Sequence, residues 1–173
     1  MPATPEQLDV VDDDDRVVGS ATIEECLSSG TLHRAVAVLV ARSGGRFLLQ
    51  QRSVKDLWQP GMWTLSCTGH VRRGETYRAA AARELDEELG LRAPLTERGK
   101  FLLPPVTEGP LTEHEWVALF GSSTDSDVRI DPSELQGAAE FSRGQLEAVM
   151  AGGMLTQDAK FLLRKYFAQT DTP

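Results

Sequence analysis

Three glutamates, Glu84, Glu87 and Glu88, fall within the run Arg83-Glu84-Leu85-Asp86-Glu87-Glu88-Leu89-Gly90-Leu91. On a helix they stand at i, i+3 and i+4, so their carboxylates share one face while Leu85 and Leu89 point toward a core. The arrangement is locally unfavourable. Like charges one turn apart cost about 0.2 to 0.5 kcal/mol, and their position near the negative end of the helix dipole adds about 0.3 to 1 kcal/mol. A hard divalent cation offsets both, because Mg²⁺ or Mn²⁺ takes carboxylate oxygens, keeps open positions and then holds phosphate oxygens. On spacing alone, an ordinary solvated acidic face with Arg83 as partner remains the alternative.

The elements that must hold these groups are legible around them. Tyr77 to Leu89 has a helical pattern closed by Gly90, a natural left-handed C′ residue, with Leu91 as the accompanying apolar contact. Gly69 and Gly74 bracket a tight loop that returns Glu75 to the helix. Strand signals at His33 to Ala41 and Phe47 to Gln51 flank the turn Ser43-Gly44-Gly45. Trp63 to Thr68 reads as a further strand and Glu115 to Phe120 as a later one. An N-terminal hairpin over about residues 8–21 turns at Asp12 to Asp15, an acidic run read as solvated. Helical patterns recur at Gly144 to Ala151 and Thr156 to Phe167. Strands first, with helices interspersed and last, imply an α+β or α/β/α sandwich. Met1 to Gln7 and Gln169 to Pro173 are expected to fray.

The chain has 173 residues, the length of one ordinary domain. Its 18 Lys and Arg against 26 Asp and Glu give a net charge of −8, which argues against a polymeric nucleic acid partner. No apolar run is long enough for a membrane span, and nothing at the start reads as a secretory leader, so a cytoplasmic protein without membrane contact is expected. Two cysteines without a CxxC pair, Cys26 and Cys67, are expected to be reduced.

From Gly69 through Glu75, Arg83, Glu84, Leu85, Glu87, Glu88 and Gly90 to Leu91, the chain resembles the Nudix box at every fixed position. The resemblance implies a single domain over 1–173 with its core at about 31–168, built as a mixed β-sheet flanked by helices, with residues 69–91 as a catalytic loop-helix-loop. It further implies hydrolysis of a diphosphate linked to another group, usually on a nucleoside. Glu84 and Glu88 are then the principal ligands for Mg²⁺ or Mn²⁺, Glu87 a further ligand or proton acceptor, and the Gly69 carbonyl a backbone ligand. Arg83 and Glu75 orient loop and helix. The expected partner is a small diphosphate-bearing molecule, and the expected assembly a monomer or homodimer.

The flanking segments Thr31-Leu32-His33-Arg34-Ala35, Leu48-Leu49-Gln50-Gln51-Arg52-Ser53 and Pro60-Gly61-Met62-Trp63-Thr64 are similar to the isopentenyl-diphosphate isomerase branch. That branch holds true isomerases and hydrolases. The isomerases carry a catalytic Cys immediately before the Gly-His that opens the box, where this chain has Thr68. Cys67, one residue earlier, should face the other way on a strand as a buried, inert thiol. The isomerases also hold a metal through three His and two Glu. His33, His70, Glu113 and Glu115 match four of these positions and Cys26 takes the fifth, a possible second metal site suited to a softer ion such as Zn²⁺. Glu115, ahead of Glu113, is the candidate general base. Arg52 and Lys55 occupy the diphosphate-binding region, and Trp58 is a candidate pocket wall. Hydrolysis is therefore the leading reading, with isomerisation and a non-catalytic nucleotide-sensing module as alternatives.

Overall fold

The computed structural model describes residues 5–170. Residues 1–4 and 171–173, part of the ends expected to fray, lie outside the described residues. Within them, Gln169 does not fray: it belongs to the last helix and donates to the Arg98 carbonyl.

In chain order the elements are β1 (Leu8–Val11), β2 (Val17–Ala21), α1 (Ile23–Ser29), β3 (His33–Arg42), β4 (Arg46–Arg52), β5 (Trp63–Thr64), β6 (Cys67–His70), α2 (Tyr77–Leu89), β7 (Thr96–Leu102), β8 (Val106–Glu108), β9 (Leu111–Glu113), β10 (Glu115–Ser123), β11 (Leu135–Ser142), α3 (Arg143–Ala151) and α4 (Gln157–Thr170). Nine strands form one mixed sheet, and β8 and β9 form a separate hairpin. β3 is its axis, running parallel to β10 and antiparallel to β1, β4 and β6. Val36, Val38 and Val40 pack against Leu85 and Leu89 of α2, while Ala35, Ala37 and Leu39 pack against Leu162 and Leu163 of α4. A strand buried on both faces reads as a continuous apolar run rather than an alternating one, as Ala35 to Val40 does. The result is the expected sandwich of helices around a mixed sheet.

The single strand expected over Trp63 to Thr68 is two. β5 pairs with β4, whereas β6 pairs with β3. The chain crosses between them at Leu65-Ser66, where the buried Ser66 hydroxyl accepts from Val40 N–H at 2.7 Å and donates to the Leu48 carbonyl. Past this bridge β3 and β4 take different partners, and a cavity of about 410 Å³ opens between them.

The acidic turn also departs from expectation. Asp15 is not solvated: its side chain is 7% exposed and accepts from Arg34 Nε at 2.6 Å and Tyr77 Oη at 2.9 Å, with Lys100 on its other oxygen. The hairpin is thereby clamped onto β3, β7 and the first turn of α2.

Candidate active site

The carboxylate helix is closed at both ends by local chemistry. Thr76 Oγ1 accepts from Ala79 N–H, and Gly90, at φ 63°, lets its N–H return to Asp86 while Leu91 N–H returns to Leu85. Arg83 joins loop to helix. Its Nε and Nη2 donate to the two oxygens of Glu75 at 3.0 and 2.9 Å, Nη2 also reaches the His70 carbonyl at 3.0 Å, and Nη1 donates to Glu84 at 2.6 Å and Glu87 at 3.2 Å. Burial pushes the Glu75 carboxyl up, but the Arg83 hydrogen bonds outweigh it and hold Glu75 below its ordinary value.

Glu84 and Glu88 line the cavity beside Gly69. Burial, with the charge of Glu87 acting in the same direction, pushes Glu84 up to about 7 in spite of Arg83. Burial and the charge of Glu84 push Glu88, only 9% exposed, up to about 8. Hydrogen bonds from Cys67, Gln50 and the Thr68 N–H at 3.4 Å partly offset this. Glu87 stands apart: it does not line the cavity, its side chain is 48% exposed, and its charge is met by Arg83 and Arg72.

Across the same cavity, β3, β6 and β10 bring together His33, His70 and Glu115. Each imidazole Nε2 lies 3.4 Å from Glu115 Oε1, and the rings are 5.3 Å apart. His33 Nδ1 is 2.9 Å from the Thr31 carbonyl, so Nδ1 carries a proton and Nε2 faces inward. That buried Nε2 has no hydrogen-bond partner among the described residues. Burial opposes charge on both His33 and Glu115, but the neighbouring Cys26 and then Glu115 raise His33, while His33 and His70 lower Glu115. Glu113, at the end of β9, is raised by burial and by the charges of Glu115 and Asp158.

Both groups fit divalent cations. The Glu84–Glu88 pair supplies hard oxygen ligands at a place where two carboxylates resist ionising together, and Gly69 leaves room for Glu84 against its backbone. His33, His70 and Glu115 offer ligand atoms that all lie within 4.8 Å of one another, a mixed set suited to Zn²⁺ or Mn²⁺. Cys26 lies outside that set, buried beside His33.

Arg52 and Lys55 line the cavity, as does buried Trp58, whose carbonyl accepts from Arg52 Nε at 3.0 Å. Thr68 also lines it. Cys67 points off the cavity into the α2 core as expected, but it is not remote from the site, because its thiol, which burial pushes up, lies beside Glu88, whose charge pushes it up further. Several cavity residues escaped the sequence reading, Gln50, Thr156 and Asp158 among them. Gln50 had a signal, a polar residue following Phe47-Leu48-Leu49; Thr156 and Asp158, before and within the first turn of α4, had none.

The family model for the NUDIX domain matches residues 31–164. The chain is 39% identical over 129 residues to an isopentenyl-diphosphate Delta-isomerase of Serratia proteamaculans, covering 75% of this chain and 72% of the relative. It is 35% identical over 137 residues to the uncharacterized Nudix hydrolase PA4841 of Pseudomonas aeruginosa, covering 79% and 78%. The crystal structure of DR0079 from Deinococcus radiodurans superposes with a TM-score of 0.75 at 22% identity, over 93% of this chain and 99% of that one, and supports the fold.

Proposed function

The chain belongs to the Nudix family, and from that premise we propose that it is a metal-dependent hydrolase of a phosphoanhydride bond in a nucleoside diphosphate linked to another group. One observation carries the reading: the intact Glu84–Glu88 pair and Thr68, rather than a thiol, share the cavity wall with the cationic side chains Arg52 and Lys55.

Arg52 and Lys55 bind the diphosphate oxygens, the guanidinium as a planar fork and the ammonium as a point charge. Glu84, Glu88 and the Gly69 carbonyl would hold the cation, while Arg83 fixes Glu84 and, through Glu75, the loop that presents Gly69. When bound, Mg²⁺ or Mn²⁺ neutralises phosphate charge and lowers the pKa of the attacking water. Water adds to phosphorus, the bridging P–O bond breaks, and the water proton passes to a carboxylate. Glu115 is assigned that proton, because it lines the cavity whereas Glu87 lies outside it.

The test is product release from nucleoside di- and triphosphates, nucleotide sugars, dinucleotides and prenyl diphosphates with Mg²⁺ or Mn²⁺, alongside Glu88→Gln. Metal-dependent hydrolysis lost in Glu88→Gln supports the reading; nucleotide binding without turnover would replace it with a sensing module.

A second reading, isopentenyl-diphosphate isomerisation, draws on the His33–His70–Glu115 group, which matches the isomerase metal site in part. Thr68 opposes it. Deuterium incorporation from solvent into isopentenyl diphosphate would establish it, and its absence beside hydrolysis would remove it.

A further inference from the structure

Gln50 sits on β4, 1% exposed, in a position that an apolar side chain would fill if packing were its only task. Its amide group is half used. Its side chain lies beside the Glu88 carboxylate and favours the ionised form, while Oε1 has no donor among the described residues. The hydroxyl of Thr64, paired with Gln50 on β5, accepts from Thr156 at 3.2 Å and makes no bond to Gln50 Oε1. A buried acceptor left unpaired is costly, and Gln50 lines the cavity in which a donor would have to arrive.

We propose that Gln50 is a positioning residue of the carboxylate site: its N–H fixes Glu88, and its Oε1 accepts a hydrogen bond from the hydration shell of the divalent cation held by Glu84 and Glu88. The inference rests on the assignment of that cation to the two glutamates. Groups that orient a metal ligand without touching the metal govern affinity strongly, commonly by 10- to 100-fold. Cys67 and the Thr68 N–H share the work on Glu88, but neither presents a free acceptor to the cavity.

The experiment titrates the full chain with Mn²⁺ at pH 7.5, following free Mn²⁺ by electron paramagnetic resonance, in the wild type, Glu88→Gln, Gln50→Leu and Gln50→Met. The Mn²⁺ class that disappears in Glu88→Gln defines the carboxylate site. In Gln50→Leu that class is expected to weaken about tenfold or more, while the metal-free melting temperature stays level or rises because an unpaired buried group has gone. Gln50→Met, unbranched and of similar length, repeats the measurement should Gln50→Leu fail to fold. Wild-type Mn²⁺ affinity in the Gln50 variants, with loss in Glu88→Gln, overturns the proposal and leaves the site assignment standing. Loss of metal-free stability in step with affinity also overturns it, in favour of a packing role. Equal binding by wild type and Glu88→Gln removes the site assignment and the proposal together.

Discussion

Gly69 and Glu84 approach so closely that a methyl group on Gly69 would fall 2.3 Å from Cδ and 2.4 Å from Oε1 of Glu84. The glutamate cannot yield freely, since Arg83 Nη1 holds it at 2.6 Å. Gly69→Ala should therefore displace the carboxylate, weaken Mn²⁺ binding and lower turnover by about 10²-fold. The accompanying overpacking should cost about 1 to 3 kcal/mol in chemical denaturation. Wild-type turnover in Gly69→Ala would mean that Glu84 is not held where the cation needs it.

Glu84→Gln and Glu88→Gln should each lower turnover by about 10²-fold or more, as expected when charge stabilisation by a bound cation supplies several kcal/mol. Both variants should remain folded, because each removes one charge from a buried pair of like charges. Steady-state kinetics with circular dichroism separates the two effects.

The same pair sets a pH dependence of stability. Glu84 and Glu88 titrate near 7 and 8 in the folded chain, against about 4.3 when unfolded. Between those values the native state binds more protons than the unfolded one, so stability falls as pH rises. Glu113 and His33, both raised, act in the same direction; Asp15 and Glu115, both lowered, lose their contribution only at acid pH. The melting temperature of the metal-free protein should fall from pH 5 to pH 8.5. Mg²⁺ should reduce that fall, and Glu88→Gln should flatten it.

Those carboxylates were legible because their spacing conflicts with helix physics, and a conflict points to function. The α2 boundaries and Gly90 were legible for the complementary reason: local signals agree there with tertiary packing. α1 carried a capping box, Thr22 with Glu25, that a periodicity reading passed over in so short a helix. β7 and β11 were hidden because their strands are polar or small-residue runs, Thr96-Glu97-Arg98-Gly99 and Gly137-Ala138-Ala139, recruited by neighbours rather than by propensity. The break between β5 and β6 was invisible for another reason. It depends on which strands Ser66 bridges, a long-range fact.

The clamp on Asp15 gives a stability prediction far from the cavity. Asp15→Ala leaves the largely buried Arg34 guanidinium with the residue 15 carbonyl at 2.7 Å and only Asp9, at 3.6 Å, as a carboxylate partner, and it removes the acceptor for Tyr77. Breaking such a pair costs about 3 to 5 kcal/mol, and the φ of 60° at this position penalises alanine further. Asp15→Asn, which tolerates that backbone and keeps an acceptor, should lose less. Urea denaturation of the two variants checks the order; equal, small losses would return Asp15 to the solvated turn.

The last prediction concerns the imidazole cluster. His33, His70 and Glu115 converge within 4.8 Å, whereas Cys26 reaches only His33. If the three converge on an ion, Glu115→Gln and His70→Ala should each reduce the transition metal that copurifies from Zn²⁺- or Mn²⁺-supplemented medium, and lower affinity by about tenfold or more. Cys26→Ser should change metal content little, because the thiol neighbours one ligand and is not among the three that converge. Elemental analysis of the four proteins decides the matter: a loss in Cys26→Ser as large as in Glu115→Gln would place the thiol on the metal, and equal content in all would leave His33 and Glu115 as a structural ion pair.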